Sequence, residues 1–368
     1  MKIGIVTQSL RVNYGGLLQN YALQEVLRNR GHEAVTIDQP CLNEKYYRIL
    51  LSAVKTLLLK AAGRGGKRRL PIDISVMYRN YVSQNIRRFI GKYIVSSRQF
   101  IKYDETRKYV VENGFDALIV GSDQVWRPKY NVDIYHSFLD FAEGLDVKRI
   151  AYAASFGVDG WEYTEQETER CSCLVRSFDG VSVREQSGVG LCSEYLKIQA
   201  RQVLDPTMLL GRDDYMKLAS SEKKSFKGIG VYFLDANEEK MNFVSDIAAQ
   251  KGADVYFIGT PDDKGVLPSV ESWIKGFADA DLIITDSFHG SVFSLMFNKE
   301  FYPLVNPSRG AGRFHSLLDM FGLSERILVA PYDSARRPDS INWDNVNARL
   351  NELRRESLEF IDSNLDKQ

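Results

Sequence analysis

Cysteine and histidine are scarce in this chain, four of each in 368 residues. The cysteines (Cys41, Cys171, Cys173 and Cys192) contain one C-x-C and no second pair, so the spacing of a structural zinc site is missing and reduced thiols are expected. No stretch approaches the roughly 20 uncharged apolar residues that a membrane-spanning helix needs. Met1 to Leu10 is apolar but short, without a basic leader or a small-residue cleavage site. It reads as a first strand rather than a signal peptide, which points to the cytoplasm. Charge of one sign is not in excess either: Lys plus Arg is 48 and Asp plus Glu is 48. That balance argues against a dedicated nucleic-acid binder. Apolar residues at 44% and charged residues at 26% exclude disorder and low complexity as descriptions of the whole chain.

The even balance hides a local one. Between Asn43 and Lys108 there are 16 basic and 4 acidic residues, a net of +12. Within it, Tyr46 to Lys60 can place Ile49, Leu50, Ala53, Val54, Leu57 and Leu58 on one helical face, and Lys67, Arg68 and Arg69 follow a glycine-rich break. An apolar face beside a cationic cluster suits an interfacial helix, so residues 46–69 are a candidate for peripheral membrane contact. A solvated face on a helix packed into its own domain is the competing reading.

What the chain has in abundance is alternation. Lys2 to Thr7 is a buried strand, Asn13-Tyr14-Gly15-Gly16 a turn, Leu17 to Arg30 a helix and Ala34 to Asp38 a strand. This is the opening of a doubly wound sheet. Residues 43–113 form a helical, basic excursion, after which strands resume at Ala117 to Val120, Arg149 to Ala154, Gly180 to Val183 and Gln202 to Leu204. Asp205-Pro206-Thr207 reads as a domain junction. A second alternation follows, with strands at Ile229, Asp254, Leu282, Phe301 and Ile327, and helices at Glu238, Val270, Phe288 and Arg313. The tail Asn342 to Leu365 is an amphipathic helix. The expectation is an α/β protein with two doubly wound Rossmann-like domains, 1–206 and 207–337, facing across a cleft. Residues 338–368 should return as a helix to the first domain.

Ligands of such sheets bind beyond the carboxyl ends of the strands, so the residues there are the candidates. After the first strand, Asn13, Gly15 and Gly16 open a helix whose N-terminus favours an anion. After Val120, Ser122 and Asp123 bring a hydroxyl and a carboxylate, or cap the next turn. Ser155 follows Ala154. Arg184 follows Val183 and can fork a carboxylate or phosphate, or pair with Glu185. After Thr285, Asp286 or Ser287 caps a helix with His289 in its first turn, where the positive helix end favours the neutral ring, a base. His315, beside Arg313 at another helix start, is a weaker candidate; His32 and His136 are incidental.

At these residues the chain resembles the polysaccharide pyruvyl transferase family. The resemblance is carried by Asn13-Tyr14-Gly15-Gly16, Gly121 to Trp126, Ser182-Val183-Arg184-Glu185, Asp205-Pro206-Thr207, Ser287 to Gly290 and Arg313 to Leu323, in order along almost the whole chain. It implies a GT-B-like architecture and transfer of a pyruvyl group from phosphoenolpyruvate to two hydroxyls of a sugar, leaving a ketal and phosphate. The acceptor implied is a glycan or lipid-linked glycan. Family members of known activity tend to carry Arg-x-His where this chain has Ser287-Phe288-His289; Arg313 or Arg309 stands nearby in sequence to supply the charge. The chemistry needs anion clamps and groups that move protons, and no metal or other cofactor. Under the resemblance His289 and Asp123 are the catalytic candidates. Arg184, Arg313, Ser287, Asp286, Asn13, Gly15, Gly16, Ser122 and Ser155 are the binding candidates. A nucleotide-sugar glycosyltransferase and a non-catalytic sugar- or anion-binding module remain the alternatives.

Overall fold

The computed structural model describes residues 1–10, 13–38, 80–98, 100, 104–305, 310–336 and 338–366. The membrane-contact candidate at 46–69 and Arg309 lie outside the described residues. Among the described residues, no helix is long and apolar enough to cross a membrane.

Continuous apolar runs build two parallel sheets, as expected for strands covered on both faces. The first contains β1 (Lys2–Val6), β2 (Glu33–Ile37), β3 (Ala117–Val120), β4 (Lys148–Ala154), β5 (Gly180–Val183) and β6 (Arg201–Gln202), in the order β2-β1-β3-β4-β5-β6. The second contains β7 (Ile229–Tyr232), β8 (Val255–Phe257), β9 (Leu282–Thr285), β10 (Glu300–Val305) and β11 (Leu328–Val329), in the order β11-β10-β9-β7-β8. Each order reverses once, between β1 and β3 and between β7 and β9. At such a point neighbouring connections leave toward opposite faces and open a crevice.

The helices follow from their ends. α1 (Tyr14–Arg28) begins at Asn13. The turn expected over Asn13 to Gly16 is therefore already the first helical turn, and its glycines serve a close approach described below. The basic excursion contributes α2 (Gln84–Tyr93) and α3 (Asp104–Asn113). α4 (Glu165–Val175) starts in a capping box between Thr164 and Glu167. After α5 (Gln186–Leu191) and α6 (Arg212–Ala219), α7 (Glu238–Lys251) is capped by Asn237 and stopped by Gly252 at φ 57°. α8 (Val270–Asp279) is capped by Ser269, and α9 (Phe288–Met296) by Ser287. α10 (Gly312–Met320) and α11 (Trp343–Asp366) complete the order.

α11 crosses back to the first sheet. Its Ser357 accepts from the Leu204 amide at 3.0 Å, its Leu365 carbonyl accepts from Lys148 at 2.8 Å, and Asp362 pairs with Arg30. Other contacts join the two sheets at the cleft. Tyr14 stacks on Trp273 with ring centroids 5.6 Å apart and donates to the Pro268 carbonyl at 2.9 Å. Asn85 donates to the Leu267 carbonyl at 2.8 Å, and the Gln186 amide donates to Ser316 Oγ at 3.0 Å.

Candidate functional site

The loops after β1, β3, β5, β6 and β9 meet in one place. Asn13 Nδ2 donates to Asp123 Oδ2 at 3.3 Å, which is possible because β1 and β3 are paired neighbours. Asp123 holds a left-handed backbone at φ 73°, uncommon for a residue with a side chain and characteristic of constrained functional loops. Its Oδ1 accepts from the Gln124 amide, which fixes the side chain. Ser122 is fully buried, and its hydroxyl donates to Asp205 Oδ2 at 3.2 Å.

Asp205 is the hub. It follows the short β6, whose pairing with β5 brings it beside Arg184. Arg184 Nη1 donates to Asp205 Oδ2 at 2.8 Å and Arg184 Nε to Glu185 Oε1 at 3.1 Å. Ser155 Oγ also donates to Glu185 Oε1, at 2.6 Å. Arg184, Glu185 and Asp205 are 2%, 3% and 1% exposed, so this is a buried charge network rather than a surface pair. Burial works against the Asp205 carboxylate, but His289, Arg184 and Thr207 together outweigh it and hold the group far below the usual carboxylate range. Burial likewise works against the Arg184 cation; Glu185, Asp205 and Asp123 more than offset it and raise its pKa.

The second sheet supplies the other wall. Ser287 Oγ accepts from the Gly290 amide at 3.4 Å and caps α9, setting His289 in the first turn. His289 Nε2 lies 3.6 Å from Asp205 Oδ2. On its other side the ring presses on α1: a Cβ built on Gly15 would stand 2.1 Å from His289 Nδ1. Glycine is required there because the two helix starts approach through it. Gly16 faces Asp123, with an added Cβ 3.0 Å from its Oδ2. The Arg184 guanidinium carbon lies over the Phe288 ring, 4.2 Å from the ring centroid. Arg313, in the first turn of α10, is half-buried in the same region. Burial and the neighbouring Arg184 cation pull its pKa below the usual arginine value, against Glu185 and Asp123. Gly310, at φ +84°, brings this loop onto the Gly157 carbonyl of the first domain, 2.0 Å from where a Cβ would sit. No side chain fits that approach.

Of the sequence-derived candidates, Asn13, Gly15, Gly16, Ser122, Asp123, Ser155, Arg184, Ser287 and His289 are gathered in or directly around this cluster, with Arg313 coupled to it electrostatically. Asp286 is held elsewhere: its carboxylate accepts from the Leu234 and Asp235 amides and from Lys240 Nζ at 2.5 Å, and so ties the loop after β7 to the end of β9. His315 is exposed. Asp205 and Glu185 were not among the candidates. The signal for Asp205 was an acid one turn past a strand, followed by Pro206 and Thr207; the signal for Glu185 was its place beside Arg184. Outside the cluster, Asp133, His136 and Asp140 bring three potential ligand atoms within 4.8 Å of one another. Both acids there are already used by the backbone, accepting from the Tyr135 and Phe141 amides.

Two atoms of the cluster, Arg184 Nη2 and Glu185 Oε2, have no hydrogen-bond partner within the protein, and His289 Nε2 has only its 3.6 Å approach to Asp205 Oδ2. Each is buried, and leaving such an atom unmatched costs about 1–3 kcal/mol. The cluster can therefore accept a ligand that offers both anionic oxygens and exchangeable protons.

Comparison with known proteins agrees in fold and family. A UDP-GlcNAc 2-epimerase from Methanocaldococcus jannaschii, solved with UDP-GlcNAc and UDP, superposes with a TM-score of 0.53 at 11% identity, covering 99% of each chain. The enzyme of that name from Neisseria meningitidis, bound to UDP-GlcNAc, gives 0.53 at 10% identity over 100% of both chains. At such identities the likeness is one of fold, and with the two parallel sheets it makes the architecture GT-B-like. No curated protein matches the sequence. The family model described as polysaccharide pyruvyl transferase matches residues 13–308, from the cap of α1 through the whole cluster. The chain belongs to the polysaccharide pyruvyl transferase family.

Proposed function

We propose that the protein moves a pyruvyl group from phosphoenolpyruvate to two hydroxyls of one sugar, in a cell-surface polysaccharide or its lipid-linked precursor, forming a cyclic ketal. The observation that supports this reading is the buried guanidinium nitrogen beside Asp205, Arg184 Nη2, left without a hydrogen-bond partner, with His289 Nε2 3.6 Å from the Asp205 carboxylate on the facing wall. Phosphoenolpyruvate offers a phosphate and a carboxylate, and Arg184, with Arg313 coupled to it electrostatically, supplies cations to meet them. The starts of α1 and α9 stand on either side, and helix N-termini favour anions. In this chain Arg313 takes the part of the arginine that Ser287 replaces.

His289 serves as the base for an attacking hydroxyl. The ionised Asp205, 3.6 Å from Nε2, is placed to balance the positive charge that develops as the ring takes up a proton. The buried surroundings exclude water, which would otherwise capture the reactive carbon. No metal or other cofactor takes part in this scheme.

The test is incubation with phosphoenolpyruvate and a panel of glycan acceptors, following phosphate release by phosphorus NMR and the ketal methyl by proton NMR. Phosphate released with a ketal in step supports the reading. Sugar transfer from UDP- or GDP-sugars, with phosphoenolpyruvate untouched, would replace it with a glycosyltransferase.

A further inference from the structure

We propose that Tyr130 is the platform on which a pyranose ring of the acceptor lies, with the Glu162 carboxylate receiving one of its hydroxyls. The inference rests on the sugar-acceptor half of the reading above and gives it a place in the structure.

Tyr130 stands in the loop between β3 and β4, seven residues after Asp123, at the end of a single 3₁₀ turn from Pro128. It is 44% exposed, and Val132, two residues on, is exposed as well. An exposed tyrosine is ordinary when it is loosely held, but this one is fixed. Its amide donates to the Arg127 carbonyl at 3.0 Å, and Asn131 Nδ2 donates to the Val125 and Arg127 carbonyls at 2.9 Å each. The Arg127 guanidinium carbon lies over the ring, 4.9 Å from its centroid. Arg127 is itself only 7% exposed and is locked in a fork to Glu162, Nε to Oε2 at 2.8 Å and Nη2 to Oε1 at 3.0 Å. Its Nη1 donates to Gln124 Oε1 at 3.2 Å. A ring held from behind and left open to solvent loses little freedom when something is laid on it.

The position faces the site. Gln124 packs on Gly157, and the Gly157 carbonyl meets Gly310, three residues before Arg313. Tyr130 is also among the groups whose charge acts on Arg313. A ligand resting on Tyr130 therefore lies at the Arg313 end of the cluster, on the first-domain side. The chemistry suits a sugar. A pyranose presents a face of C–H groups, which the electron-rich face of an aromatic ring attracts, and a rim of hydroxyls. Each Glu162 oxygen accepts one bond from Arg127 and keeps a lone pair for a hydroxyl.

The test uses the full chain and the methyl pyranosides of galactose, glucose and mannose as probes, titrated by saturation-transfer NMR. Phosphoenolpyruvate affinity is measured in parallel by calorimetry. At least one pyranoside should bind wild type, with saturation strongest on the C–H groups of one ring face. Tyr130→Ala should weaken that binding by roughly 10-fold, Tyr130→Phe should keep it, and phosphoenolpyruvate affinity should be equal in all three proteins. If Tyr130→Ala does not fold, Tyr130→Leu, apolar but without an aromatic face, replaces it under the same expectation. Wild-type pyranoside affinity in the alanine or leucine variant would overturn the proposal. So would a wild type that binds none of the three pyranosides. A wild type that binds a pyranoside through Tyr130 but no phosphoenolpyruvate would sink the donor reading and support the platform, so the two failures are told apart.

Discussion

The two walls of the cleft are built differently. The first-domain wall carries a fixed charge network, Asp123, Arg184, Glu185 and Asp205, each residue anchored by at least one hydrogen bond to its own domain. The second-domain wall contributes fewer groups, His289, Phe288 and Arg313, on the first turns of two helices. Its own charged pair, Lys240 with Asp286, is turned to holding the β7 and β9 loops together. One wall thus presents charge while the other brings a ring and a cation against it. Stability and chemistry should therefore separate by domain: damage on the first wall should cost folding, and damage on the second should cost turnover.

The largest expected separation is at His289. His289→Ala should lower kcat by roughly 10²–10⁴-fold, an effect far larger than the loss of stability from removing a ring that packs on Gly15 and helps hold Asp205 ionised. A large fall in melting temperature with turnover retained would erase the distinction between the walls. On the opposite wall, Arg184→Ala leaves Asp205 and Glu185 buried without their cation. The expected loss is about 3–5 kcal/mol in urea unfolding, in addition to weaker donor binding. An unfolding midpoint equal to wild type would show that the network is not the structural member described here.

Both sheets and most strand limits could be read, because continuous apolar runs such as Lys2–Val6 and Leu282–Thr285 admit little else. α4 has no clear signature in the sequence: EQETERCSCLV is acidic at the start and weakly periodic, and its capping box is a short-range signal within polar residues. At the site, strand ends pointed to Asn13, Asp123, Arg184 and His289, since parallel sheets gather such ends by construction. Asp205 reads as a junction because β6 has only two residues, and local sequence does not reveal that an edge strand carries it to Arg184. Asp286 shows the converse. It has the same strand-end signal as its neighbour His289, yet its side chain is spent on Lys240 and two backbone amides.

Smaller effects sharpen the contrast. Arg313→Ala should weaken phosphoenolpyruvate binding by about 1.5–3 kcal/mol, the worth of one charged hydrogen bond, with little change in stability. Arg313→Lys should restore part of it, lacking the planar fork. Gly15→Ala should cost about 1–3 kcal/mol of overpacking at the contact between the walls, read as a lowered melting temperature together with slower turnover as His289 is displaced. If the variant behaves as wild type, the two helix starts are not in functional contact.

The smallest effect is in pH. The folded pKa of Asp205 is depressed, so the stability it contributes is complete above the unfolded carboxylate value near 3.9 and is lost as pH falls through the folded value. The stability gap between wild type and Asp205→Asn should therefore be constant from neutral pH down to about 5 and narrow below about 4, by chemical denaturation at each pH. A gap that widens on acidification would mean that Asp205 is not held ionised in the fold.

The decisive measurement is calorimetric titration of wild-type protein and Arg184→Lys, which keeps the buried charge, with phosphoenolpyruvate, and with UDP as the control. Binding of phosphoenolpyruvate by wild type, clearly weakened in the variant, with UDP inert in both, is the expected result. Tight binding of UDP with none of phosphoenolpyruvate would contradict the assignment of this cluster to a pyruvyl donor.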